Sequence, residues 1–203
     1  MISYWVRSQA IATSFPAVTF SVEVGGHTTA QAALEDFSAD LVLVFEPVLD
    51  SDLQSLYALE APLVVVGARG HPVFDRPVLK LRDCLSHPVA LLRCGFGGRR
   101  LQDAGLRRRH FDLTPVPETN SFELLRRYVL KDQVITFQTQ IGSPFTASSD
   151  LECRIVDQRD VAPGRLVLGR LRGRTLPVAS AKFANRIATK LETLSFSPDG
   201  PQR

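Results

Sequence analysis

An α/β fold is what this sequence predicts, and three observations predict it. Apolar residues alternate with polar ones at the two-residue period of a strand in some stretches and recur every three to four positions, as on one face of a helix, in others. Leu41 to Phe45 is continuously apolar, as a strand buried on both faces would be. The stretch "ETNSFELLRRYVLKDQVITFQ", Glu118 to Gln138, holds a complete helix with its start, apolar stripe and stop, followed at once by a strand. Strands alternating with helices place ligand sites at the carboxyl ends of parallel strands.

The elements follow in order. Ile2, Val6 and Ala10 with Trp5 beside them predict a helix ending before Phe15-Pro16. Val18, Phe20, Val22 and Val24 alternate with Thr19, Ser21 and Glu23 up to Gly25-Gly26, which predicts a strand. Ala30, Ala33, Leu34 and Phe37 then fall at helical spacing behind the capping candidates Thr28 and Thr29. With Leu41 to Phe45 next, strand, helix and strand imply a parallel pair joined by a right-handed crossover. The same alternation resumes: a strand at Leu63 to Val66, another at Val89 to Leu92, a helix from about Gly98 to His110, and a strand near Leu113 to Val116. The following helix buries Phe122, Leu125 and Val129, and its strand is Val134 to Phe137. Arg165 to Leu171 reads as a strand, Val178, Ala181, Ile187, Leu191 and Leu194 as the stripe of a closing helix, and Ser197 to Pro201 as a frayed tail.

Composition narrows the function. The 203 residues are 44% hydrophobic and 22% charged, enough for one large domain or two small lobes. Lys and Arg total 24 against 21 Asp and Glu, a net charge of +3 that is too mild to announce nucleic-acid binding over the whole surface. The basic run from Gly97 to His110 could hold an acidic partner or a phosphate, but reads mostly as a solvated helix face, and without interleaved aromatics it is not read as a DNA contact. Three widely spaced cysteines, Cys84, Cys94 and Cys153, argue against a disulfide scaffold or a zinc site and fit a reducing cytoplasm. Neither a membrane-length apolar run nor a signal-peptide pattern is present, so the chain reads as neither secreted nor spanning. The four histidines are scattered and no G-x-S-x-G, HExxH or paired-carboxylate signature appears, which makes binding the stronger reading and an enzyme the weaker; no cofactor or metal is expected.

From Phe15 to about Leu194 the chain resembles the effector-binding region of LysR-type bacterial transcriptional regulators. The resemblance rests on "FPAVTFSVEVGG", "ADLVLVFEP", "APLVVVGARGHPVFDRPVLKLRDCLSHPVALL" and "ETNSFELLRRYV" followed by "VITFQ", in the family's order and at about its spacing. It implies the type 2 periplasmic-binding-protein fold: α/β, with two Rossmann-like lobes and a ligand cleft between them. Residues 1–67 and 164–203 would form lobe I and 68–163 lobe II, joined by crossing segments near Gly67 to Gly70 and Pro163 to Leu168. It also implies a small-molecule effector-sensing domain whose ligand is a polar or anionic metabolite, acting in the cytoplasm as a homodimer or tetramer. DNA would be reached only through an N-terminal winged helix-turn-helix that this chain lacks, and no membrane is involved. The alternative is a stand-alone cytoplasmic small-molecule-binding module or a solute-binding-protein-like component. Two departures stand out. The family's first strand of lobe I precedes the helix placed at Ile2 to Thr13 and is missing here, so that the start lies upstream of Met1, the chain is a truncated product, or something else fills the gap. Asp132-Gln133 stands where the family has glycines.

The resemblance also gathers candidate ligand-binding residues around the cleft. Thr119, Asn120 and Ser121 sit at a helix mouth, with Asn120 as N-cap candidate and Glu123 at N3, where unpaired N–H groups and the dipole favour anions. The same trio can equally do no more than end a strand and cap a helix. Gly26, His27 and Thr28 stand between a strand and a helix start, a place for ligand or for a plain turn. Phe45 and Glu46 close a strand, Glu46 pointing to a ligand or to water, and Phe137 and Gln138 close another. Cys94, Gly95 and Phe96 link a strand to a helix but fail as a nucleotide loop, since Arg100 stands where G-x-G-x-x-G needs glycine.

Overall fold

The computed structural model describes residues 18–46, 52–131, 133–140 and 150–193. Helix α1 covers His27–Glu35, followed by strands β1 (Val42–Phe45), β2 (Leu53–Ala61) and β3 (Leu63–Ala68), a 3-10 turn at Pro72–Asp75 and the single-turn helix α2 (Leu81–Cys84). Next come β4 (Val89–Leu92), α3 (Gly97–Arg108), β5 (Glu118–Thr119), α4 (Phe122–Lys131), β6 (Ile135–Thr139), β7 (Leu151–Ile155), β8 (Gly164–Leu171) and α5 (Val178–Thr193). The chain divides into two units, one running from Ala61 to Gly164 and the other formed by the described residues up to Glu60 and from Arg165 on.

The 61–164 unit is a five-stranded mixed sheet in the order β5-β4-β6-β3-β7. β4 runs parallel to both β5 and β6, while β3 is antiparallel to β6 and β7. Alternation then sorts the side chains. Leu63, Val65, Ile135 and Phe137 join Leu106 of α3 in one core cluster, and Val64 and Val66 join Val129 of α4 in another. Leu125 of α4 packs with Ala90 and Leu92 of β4. With α3 on one face and α4 on the other, the central strands are apolar on both sides, which is why β3 and β4 read as continuous hydrophobic runs.

The second unit is a three-stranded sheet, β1-β8-β2, with Val42 opposite Gly169 and Phe45 opposite Leu166 in an antiparallel register. Ala30 and Leu34 of α1 share a small hollow with Val42, Val44 and Leu171, so α1 lies over that face. Leu168 and Arg170, of the parity opposite to Leu171 on β8, look toward α5.

Several expectations need correction. Val18 to Val24 forms no strand: it joins no ladder among the described residues, although the Phe20 ring meets that of Phe183 at 5.0 Å, and Val22 and Val24 are 68% and 61% exposed. A ladder exists only between partners, so alternation alone does not make one. The predicted parallel partner of that segment, β1, is antiparallel to β8 instead and only half buried. Thr28 and Thr29 lie inside α1, whose N-cap is Gly26, and Phe37 falls beyond the helix in a left-handed conformation, φ 63, exposed and stacked by Arg174 at 5.0 Å. Leu113 to Val116 is not a strand, because Pro115 and Pro117 have no N–H to donate; the ladder forms only at Glu118–Thr119, opposite Leu91 and Leu92. Val178 opens α5 as expected but is 70% exposed. At the end of α4 it is Gln133 that takes the positive φ of 48, and its carbonyl accepts a hydrogen bond from His71 Nε2 at 2.9 Å. The helix at Ile2 to Thr13, Asp132, Leu194 and the tail lie outside the described residues.

Candidate functional site

Parallel strands that neighbour one another end on the same side of the sheet. In the 61–164 unit this places the carboxyl ends of β4, β5 and β6 together, and with them three of the predicted groups: Cys94 to Phe96, Thr119 to Ser121, and Phe137 with Gln138. Contacts tie these ends to each other. Arg93 N–H donates to the Thr119 carbonyl at 2.9 Å, the Phe96 and Phe122 rings meet edge to face at 5.8 Å, and a Cβ on Gly98 would lie 3.9 Å from the Thr139 methyl.

Each group has a distinct local cause. Gly95 takes φ +104, so the loop after β4 turns at a residue with no Cβ, leaving Cys94 exposed. α3 then starts at Gly97 with Phe96 as N-cap, with no side-chain cap and no acidic residue in its first turn. A twelve-residue helix with a bare first turn presents N–H groups and the positive end of its dipole to whatever sits there. At α4 the trio behaves otherwise. Ser121 Oγ accepts the Leu124 N–H at 3.2 Å and Thr119 Oγ1 accepts the Ser121 N–H at 3.1 Å, so Ser121 is the cap and Thr119 shapes the turn. Asn120, expected to cap, is exposed and enters none of the hydrogen bonds among the described residues. Its amide is free for an outside partner.

Phe137 and Gln138 differ sharply despite being neighbours. Phe137 is 5% exposed and belongs to the core. Gln138 is 2% exposed, opposite Val64 in the ladder, and neither its amide oxygen nor its nitrogen has a partner among the described residues. Thr136, on the same face two residues earlier, is fully buried with its hydroxyl likewise unpartnered.

Sequence reasoning missed Thr139 and took Arg99 only as one of the arginines of a basic helix. Arg99 donates to the Leu92 carbonyl at 2.9 Å and to Asp103 at 2.8 Å, and it also bonds Glu118, fastening α3 to the ends of β4 and β5. Burial pulls its pKa down, but the bonds to Glu118 and Asp103 more than offset that, and the net shift is upward. It is therefore a strut rather than a free cation. Of the same basic run, Arg109 pairs with Asp160 at 2.6 Å, whereas Arg107 and Arg108 are exposed.

Gly26, His27, Thr28, Phe45 and Glu46 belong to the other unit. Gly26 caps α1, His27 is its first residue and half buried, and Thr28 is exposed. Phe45 ends β1 opposite Leu166. Glu46 has φ 53; its N–H donates to the Arg165 carbonyl at 2.7 Å and its carboxylate accepts the Arg165 N–H, so the acid is engaged by the backbone at the end of the β1/β8 ladder. No group of acidic, cysteine or histidine side chains among the described residues is arranged to hold a metal.

Strands alternating with helices, with polar loops gathered at the carboxyl ends of three parallel strands beside a bare helix start, define the class: an α/β domain built like those that take ligands at such strand ends. The chain belongs to the LysR substrate binding domain family, which it matches over residues 8–192. Among curated proteins it is similar to the HTH-type transcriptional activator CmpR of Synechocystis sp. strain PCC 6803, 23% identical over 115 residues, which are 57% of this chain and 38% of that protein. The match thus spans under two-fifths of the relative's length. Among solved structures it is similar to the CcmR regulatory domain of Synechocystis PCC6803 in complex with 2-PG, at a TM-score of 0.77 and 21% identity, covering 90% of this chain and 88% of that one. The effector-binding domain of QuiR in complex with shikimate follows at 0.74 and 20%, covering 93% and 92%. At such identities the likeness speaks for the fold, which is the two-sheet α/β fold of LysR substrate-binding domains, of the type 2 periplasmic-binding-protein kind. No helix among the described residues is long and apolar enough to cross a membrane.

Proposed function

We propose that this domain senses a small-molecule effector, a polar or anionic metabolite, for a LysR-type transcriptional regulator. One observation carries the reading: three adjacent parallel strands deliver Cys94 to Phe96, Thr119 to Ser121 and Gln138 to one end of a sheet, next to the uncapped first turn of α3. Bare N–H groups suit an anion, and the free amide of Asn120 adds a donor and an acceptor. Gly26, His27, Thr28 and Phe45 of the other unit remain candidates for ligand contact in their own right. Glu46, whose carboxylate accepts the Arg165 N–H, is engaged by the backbone and is left out of the ligand's contacts. Binding would shift the population between two conformational states, and a DNA-binding segment in the same polypeptide would read the shift. We place the protein in the cytoplasm as a homodimer or tetramer.

A thermal-shift screen against a panel of metabolic acids tests this, followed by Asn120→Ala and Gly98→Ala on any hit. Asn120 enters no hydrogen bond among the described residues, and a methyl at Gly98 would meet the Thr139 methyl at 3.9 Å, an ordinary contact, so both variants should fold as the parent does. Each should weaken the hit by about tenfold, the worth of one good polar contact. Unchanged affinity in both would send the strand-end loops back to a purely structural role.

A further inference from the structure

The geometry points to a second ligand site inside the other unit, taking a small monocarboxylate with an apolar tail. Between β2, β8 and α5 lies a hollow of about 370 Å³, near the lower end of the range found for small-molecule pockets, about 300–1,000 Å³. Leu56, Leu168 and Leu176 line it from the sheet and the loop before α5, and Ala181, Ala184 and Ala188 line it from the helix. The three alanines fall at i, i+3 and i+7, so one face of α5 stops at Cβ where longer side chains would otherwise fill the space. Thr175 and Asn185 are exposed residues of the lining.

A single cation gives this hollow its chemistry. Arg170 lines it, half buried, and the only hydrogen bond of its side chain among the described residues is from Nε to the neutral Gln54 amide oxygen at 3.2 Å. Arg174, close by in the chain, shows the contrast, since it is neutralised by Asp40 at 2.8 Å and stacked on Phe37. No carboxylate among the described residues does the same for Arg170, whose guanidinium leaves its terminal N–H groups for an incoming anion. A guanidinium beside apolar walls matches a carboxylate that carries a hydrocarbon chain, bonded at two points and desolvated along its tail. A neutral alcohol would gain the walls and not the ion pair, while an amine would meet a like charge.

Calorimetric titration of the whole chain with hexanoate, and with 1-hexanol as the uncharged counterpart, tests the site. Hexanoate should bind saturably below about 10 mM and at least about tenfold more tightly than 1-hexanol. Arg170→Gln should remove about tenfold of hexanoate affinity and leave 1-hexanol unchanged, and Ala188→Phe should fill the hollow and abolish both. Should the phenylalanine variant fail to fold by circular dichroism, the glutamine variant decides alone. Asn120→Ala, in the 61–164 unit, separates this site from the strand-end loops, because it should leave hexanoate untouched. The inference is overturned by absence of saturation, by equal affinity for 1-hexanol, by indifference to Arg170→Gln, or by a loss on Asn120→Ala.

Discussion

Replacing Gln138 by leucine should stabilise the protein and blunt its response to ligand. The glutamine is 2% exposed and both ends of its amide are without partners among the described residues, so folding strips water from the group and returns no hydrogen bond. An unpaired buried polar group costs about 1–3 kcal/mol. Leucine has a similar volume, and volume-conserving swaps in a packed interior cost under about 1.5 kcal/mol. The balance favours the variant by about 1–2 kcal/mol, which for a chain of this size raises the melting temperature by roughly 2–8 °C. Urea unfolding followed by circular dichroism gives the midpoint and slope, and the thermal shift with the best metabolic acid gives the functional side. A gain in stability with a smaller ligand shift would mark Gln138 as a residue kept for binding against its cost in the fold. A loss of about 1 kcal/mol or more would refute the reasoning, since it would mean that the amide is already satisfied in the folded protein.

Three further outcomes follow from the same geometry. Gly105→Ala should destabilise by up to about 2 kcal/mol in urea, because better helix propensity, about 1 kcal/mol, is set against overpacking of about 1–3 kcal/mol; the new methyl would sit 2.7 Å from Val161 Cγ2. Paired with Val161→Ala in a double-mutant cycle, it should show coupling above the additive limit of about 0.5 kcal/mol, and plain additivity would remove the clash as the cause. The Asp157 carboxylate, held by the side chain and then the backbone of Arg159, titrates at about 2 against an ordinary 3.8. Its contribution is present above the unfolded value and is lost as pH falls from about 3.8 toward about 2, so the wild type should lose more urea resistance than Asp157→Asn between pH 5 and pH 2.5. Burial, and then the charge of Asp83, push the Cys84 thiol up to about 12, so a thiol reagent at pH 8 should label exposed Cys94 at once and Cys84 only on unfolding.

How much of this was legible in the sequence varied with where the cause of each feature lies. β4 was read to the residue because Val89–Leu92 is apolar on both sides, and α4 was read from a stripe in which Leu125 and Val129 lie one helical turn apart. β7 carried a usable signal that went unread, since Leu151, Cys153 and Ile155 alternate with Glu152 and Arg154. β2 carried less, with Leu56 exposed in the middle of it. Around the site, the sequence placed Thr119, Asn120 and Ser121 at a helix mouth, but which of them caps depends on where helical dihedrals begin, and that fell one residue later than expected.

Taken alone, then, the sequence determined the alternation of strands and helices, the family and the polar loops between elements, because periodicity and turn chemistry are local and survive in one dimension. Tertiary structure alone decided which strands pair, and so which of those loops share an end of a sheet: β4 joins β5 and β6, while β1 joins β8 more than a hundred residues away. It also decided that, among the described residues, Val18 to Val24 stays unladdered and Gln138 is buried without partners, and that three alanines on α5 leave a hollow beside Arg170. Hydrogen bonds between strands and voids between side chains are properties of pairs distant in the chain, and no single stretch of residues carries them.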